Sequence, residues 1–155
     1  MGGGARRRTA ALLAGLWAGE ALGVGVIAAP AIFAALPRLD AGQAVGAVLA
    51  IDAGVGLALG LVLLMLAVDA ASRSAERGGS RFSGNAVLAL GGLFCVLFGH
   101  YGLQPALAAA RSGQGPLPFG ALHGIATAFF GLKIVCATVL AWRLSGPLRA
   151  AATTS

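Results

Sequence analysis

Residues 44–68 read AVGAVLAIDAGVGLALGLVLLMLAV, an apolar run broken by a single charge, Asp52. A helix needs about 20 predominantly apolar residues to cross the hydrocarbon core of a bilayer, and this stretch exceeds that. A spanning strand needs only about ten residues in strict alternation, and these residues do not alternate. Three more runs of the same kind lie at 10–36, 85–110 and 119–142. The pattern predicts an all-α integral membrane protein, a four-helix up-down bundle forming one domain over residues 1–155.

Composition agrees. Apolar residues make up 58% of the chain and charged residues 10%, with a mean hydropathy of +0.88. A soluble domain carries about 25% charged residues, so the partner of this surface is the lipid bilayer. The 25 glycines fit, because glycine is more frequent in membrane helices than in soluble ones. A net charge of +6 does not point to nucleic acid. The arginines stand in short breaks between apolar runs, with no basic stripe interleaved with aromatics. Cys95 and Cys136 lie inside apolar runs without a CxxC spacing and read as reduced, buried thiols. GxGxxG after a strand, the P-loop, GxSxG and HExxH are all missing, so neither an enzyme nor a bound cofactor or metal is expected.

The links, at 37–43, 69–84 and 111–118, are short and favour antiparallel neighbours. Ser83 is placed to cap the third helix. With four spans, both termini share a side with the middle link. That side holds Arg6, Arg7, Arg8, Arg73, Arg77, Arg81, Arg143 and Arg149, against Arg38 and Arg111 on the other. The excess of positive charge assigns both termini to the cytoplasm, in a multi-pass protein of the cytoplasmic (inner) membrane. A secretory signal is the rival reading of the first run, with Arg6, Arg7 and Arg8 ahead of it and small residues at Ala28 and Ala29. The run is too long for one and Glu20 interrupts it, so it is read as a retained helix.

Apolar side chains gain little by leaving lipid tails for one another, so packing depends on close approach and polar contacts. Gly15, Gly19 and Gly23 repeat every four residues on the first helix, and Gly56 and Gly60 do so on the second. Such stripes serve packing within the bundle, a homo-oligomer or a membrane partner. Pro30 and Pro105 each remove a backbone donor and free a carbonyl four residues earlier, at Val26 and Tyr101, which predicts bent helices.

Each run carries an ionisable residue: Glu20, Asp52, His100, and on the last both His123 and Lys133. Each charge at such depth costs about 2.5–3.5 kcal/mol on the insertion scale, so the set is the main functional clue. At about 1.5 Å per residue from the flanking polar positions, Glu20 lies about 18 Å deep and Lys133 about 15 Å. Asp52 and His100 lie about 25 Å deep and His123 about 30 Å. Two layers are expected. Glu20 and Lys133 form a buried ion pair in the lower one. Asp52, His100 and His123 face a common polar pocket in the upper one, with Gln104 and Thr127 one turn from the histidines. The upper set reads as an Asp–His bond locking two helices, as a proton or ion path, or as a metal or haem site.

Trp17-x-Gly19, Phe33-x-x-Leu36-Pro37 and Gly42, followed by Pro105 and Phe119-x-x-Leu122-His123-Gly124, resemble the domain-of-unknown-function 4149 family. That family is related to eukaryotic transmembrane protein 205. The resemblance runs from about residue 13 to 141. It implies four membrane helices, a retained first helix, and Trp17, Gly19, Phe33, Pro37, Pro105, Phe119 and His123 as family-type positions. This chain departs from the family's pattern before Pro105, where the family often has an Asn and His100, Tyr101 and Gln104 stand instead. The resemblance implies no activity.

Three functions follow: a small permease or transport-associated protein, a non-catalytic module packing through its glycine stripes, or a metal- or haem-binding bundle. Topology comes first. Reporter fusions after Ser155 and within 111–118 are expected on opposite sides of the membrane, and fusions reporting the same side exclude four spans.

Overall fold

Pro37 decides where the first helix ends. A residue before proline is driven to extended backbone, and Leu36 adopts φ −122° and ψ 153°. Pro37 then starts the next helix, with Asp40 in its first turn at the positive end of the helix dipole. In this computed structural model, which describes residues 3–80 and 83–146, the helices are α1 (Gly3–Ala35), α2 (Arg38–Ala75), α3 (Gly84–Arg111) and α4 (Phe119–Ser145). Each is long and apolar enough to cross a membrane, and the described residues include no strand. Arg81 and Arg149, counted above for orientation, lie outside the described residues.

The expected link at 37–43 shrinks to Leu36 and Pro37. The helix on its far side begins as soon as the proline permits. α2 also runs past the apolar stretch to Ala75. Hydropathy marks where the apolar run stops, not where the helix does, and Asp69 and Arg73 hold the extra turns together as an ion pair four residues apart. Gly78, at φ 80°, and the bond from the Gly79 N–H to the Ser74 carbonyl end it. Ser83 stands at the start of α3 with extended backbone, but its side chain makes no capping hydrogen bond. Its carbonyl accepts from the Val87 N–H instead, at 3.2 Å.

Both expected bends are π-helical turns, at Gly23–Ala28 in α1 and Leu97–Gly102 in α3. Each ends just ahead of a proline. The Ala29 N–H bonds to the Val24 carbonyl and the Leu103 N–H to the Phe98 carbonyl, one residue further back than in an α-helix. The wider turn makes room for a proline ring that would otherwise meet the carbonyl four residues before it.

α1 and α3 each pack against both α2 and α4, giving a closed ring. Arg6 Nη1 lies 3.1 Å from Asp69 Oδ2, and Arg7 Nε donates to the Leu144 carbonyl at 2.9 Å, so the start of α1 meets the ends of α2 and α4. Across the ring centre, the fully buried Trp17 bridges α1 to α3. Its indole occupies a socket of three glycines: a Cβ would stand 3.1 Å from it at Gly56, 3.0 Å at Gly60 and 2.5 Å at Gly92. Leu63 and Leu140 complete the packing. The α1 stripe is different. Added Cβ atoms at Gly15, Gly19 and Gly23 would meet nothing within 4 Å, so that stripe faces outward and makes no contact within the bundle. Its fourfold repeat identifies a face but not its direction.

Emptying the socket by Trp17→Ala should cost about 3–5 kcal/mol, the range for removing a buried aromatic side chain. Gly92→Leu should lower the melting temperature in detergent strongly, while Gly15→Leu leaves it unchanged. Equal melting of the two glycine variants would exclude the socket.

Candidate functional site

Lys133 is carried on α4 and is only 2% exposed, against 3% for Asp52 on α2. Its ammonium donates to both oxygens of Asp52, each at 2.7 Å. The Phe130 ring, one turn back on α4, covers the same ammonium at 4.1 Å from the ring centroid. The charge is thus matched by a carboxylate and an aromatic face rather than by water.

This pairing revises the two expected layers. Lys133 pairs with Asp52, and the salt bridge expected between Lys133 and Glu20 does not form. Depth counted on Cα positions misplaces long side chains. A lysine reaches about one further turn along its helix, about 5.4 Å, and helical side chains tilt toward the N-terminal end. On α4 that tilt lifts the ammonium toward Asp52. Glu20 still belongs to the same level: its carboxyl lies beside that of Asp52 and within electrostatic reach of Lys133. One of its oxygens, Oε2, is buried with no hydrogen-bond partner.

Above the pair opens a cavity of about 440 Å³ with walls from all four helices. Asp52, His100, Gln104, His123 and Thr127 all line it, with Lys133 at the floor. Asp52 thus faces the same space as the histidines, but its oxygens are taken by Lys133. Among the described residues no hydrogen bond joins it to either imidazole, so the lock runs from α2 to α4 and not from α2 to α3. The Thr127 hydroxyl donates to the His123 carbonyl at 2.9 Å, leaving its lone pairs to face the cavity. The remaining wall is mostly apolar, including Val24, Val45, Leu49, Val96 and Leu107.

At the end where α3 meets α4, the cavity is lined by Arg111 and Phe119. There the Arg111 guanidinium sits 5.3 Å from the centroid of the Phe119 ring, and the His123 imidazole stacks on that same ring, with centroids 5.7 Å apart. Both π turns border the cavity through Val24, Gly25, Gly99 and His100. Among the described residues no group of three or more His, Cys, Asp or Glu side chains is placed to hold a metal ion.

Residues 12–115 match the family described as a domain of unknown function (DUF4149). The chain belongs to the DUF4149 family. The match covers α1 to α3 and stops before α4, so the Phe119 to Gly124 motif lies beyond it. No curated protein and no solved structure matches the chain. Within this family member, the positions singled out by resemblance have distinct physical jobs. Trp17 fills the socket, Pro37 sets the first link, and Phe33 and Phe119 border the cavity. Reading the sequence missed Phe130 and Arg111 as parts of the site. The three-residue spacing of Phe130 and Lys133 was the available signal for the first. Arg111 read as a membrane-flanking charge, and nothing local separates that from a cavity wall.

Removing one partner of the buried pair, by Asp52→Leu or Lys133→Met, should destabilise the protein, by up to about 3–5 kcal/mol where no other group compensates the charge left in the interior. The double variant should recover most of that loss. Additive losses in this thermodynamic cycle would show that the two residues do not interact.

Proposed function

We propose that this DUF4149 member is a small permease whose cavity takes up a small solute from the side of the 111–118 link. In this reading it is an up-down bundle of the cytoplasmic (inner) membrane with both termini in the cytoplasm. The order of its motifs further relates it to eukaryotic transmembrane protein 205. The observation that supports the permease reading is the cavity itself, of about 440 Å³, ending on the buried Asp52–Lys133 pair. A bundle built only for packing has no use for such a space, and polar groups at this depth are a cost that function has to justify. The volume falls in the range of small-molecule sites, about 300–1,000 Å³. The wall combines apolar side chains with a few convergent polar ones, His100, Gln104, His123 and Arg111, which suits a small amphipathic solute. The contacts between the start of α1 and the ends of α2 and α4, together with the arginine bias, support this topology. No catalytic step is assigned to any residue.

A second reading rests on the α1 stripe. Gly15, Gly19 and Gly23 lie open on the outer face, a form suited to close helix contact with a second copy or a membrane partner. The two readings are compatible, since the stripe and the cavity use different faces.

The permease reading is tested without knowing the solute. In a background of Cys95→Ala and Cys136→Ala, a His100→Cys variant should react with a membrane-impermeant thiol reagent added on the side of the 111–118 link. It should not react from the other side, where Trp17 and the ion pair close the bundle. A cysteine reached from neither side would mean a sealed cavity and would sink the reading.

A further inference from the structure

Glu20, Asp52 and Lys133 meet at one level of the bundle, from three different helices. Fully ionised, two carboxylates and one ammonium leave a net negative charge where Asp52 and Lys133 are almost wholly buried. Such a charge is costly where water is excluded. Binding one proton removes it. The same proton supplies what the two neighbouring carboxyls otherwise lack, a hydrogen to share between oxygens that would repel.

The geometry says which group takes it. The Lys133 ammonium is committed to its charged form by two 2.7 Å donations and by the Phe130 face. Asp52 accepts both of those bonds, so its charged form is the one already satisfied. Glu20 has no such support, and its buried Oε2 is left without a partner. From α3, His100 and the Cys95 thiol face the same space, and neither donates to either carboxyl. On α4, His123 lines the same cavity as Asp52 and Lys133, and the Cys136 thiol stands near Gly91.

We propose that the carboxyls of Glu20 and Asp52 form a proton-binding site holding one hydrogen, resident on Glu20, beside the charged Lys133. The site deepens the cavity reading, and rests on it in one respect: Asp52 lines the cavity, so the exchange route runs through that space. A hydronium ion there gives its proton to an Asp52 oxygen and leaves as water. The hydrogen then passes to Glu20, while Lys133 keeps its charge throughout. A solute competing for Asp52 or Lys133 would change the proton's hold, which is how binding and protonation become coupled.

Infrared spectroscopy of the lipid-reconstituted protein tests the site directly. The chain has two glutamates, Glu20 and Glu76, and Glu76 is exposed beyond α2. Wild-type protein carrying 13C in the glutamate side-chain carboxyls should show, at neutral pH, a protonated-carboxyl carbonyl band that shifts with the label. The band should vanish in Glu20→Gln, which should fold normally because glutamine resembles the protonated acid. It should also vanish in Asp52→Asn, where Glu20 ionises to take over Lys133, whereas in Lys133→Met a second, unshifted band from Asp52 should join it. No labelled band in the wild type at neutral pH, or a band that persists in Glu20→Gln, overturns the proposal. The labelled wild type decides even if a variant fails to fold. A labelled band together with a cavity closed to the thiol reagent supports the proton site and removes the permease reading, so the two fail separately.

Discussion

A lysine ammonium held at the centre of an apolar bundle has to be matched by something other than water, and that requirement organises the molecule. Lys133 finds Asp52 across the helix ring and Phe130 on its own helix. Meeting Asp52 ties α2 to α4. Those helices are neighbours of both α1 and α3, so one polar contact fixes the register of the whole ring. Buried pairs are weak sources of net stability, because desolvation offsets most of the attraction. Their value here is specificity: any slip of α4 against α2 leaves two unpaired charges in the interior.

Below that contact the centre of the bundle is closed by shape. Trp17 enters a socket from which three glycines on two helices have removed every side chain. Apolar burial contributes little between membrane helices, so a tight fit of a large ring against bare backbone is how such helices gain dispersion energy. Above the contact the helices part. The π turns before Pro30 and Pro105 swing the far ends of α1 and α3, and the space they border is the cavity. The two halves of the bundle therefore differ, one centred on the Trp17 socket, the other on a cavity that all four helices line.

Much of this was legible in the residues. Four spans followed from run length, since lipid accepts only helices or closed barrels. The five pocket residues face one space because helical periodicity fixes faces well. What failed was anything requiring direction or reach. Cα depth put Asp52 and Lys133 in different layers, although a flexible four-carbon stem closes that gap. The Gly15 stripe showed a flat face, and hydropathy is symmetric between lipid and the neighbouring helix, so its outward direction left no mark. The π turns left none either, beyond the nearby prolines, and helix α2 outran its apolar run because the added turns are held by charge.

The division between a socket half and a cavity half bears on how such a bundle could change state. Opening the socket side would require Trp17 to leave its socket, and no other side chain of the described core is large enough to replace it there. Glu20 stands one turn from Trp17 on the same helix and beside Asp52, so it touches both halves of the molecule. A change in the charge on Glu20 would alter the balance around Lys133 on one side and the seating of α1 on the other. In an interior with so few polar groups, that single carboxyl is where chemistry in the cavity and the packing of the closed half can act on each other. The outward stripe of α1 then acquires a second consequence. A partner helix docked on Gly15 and Gly19 would hold α1 against the same movement, so assembly and opening would compete through one helix.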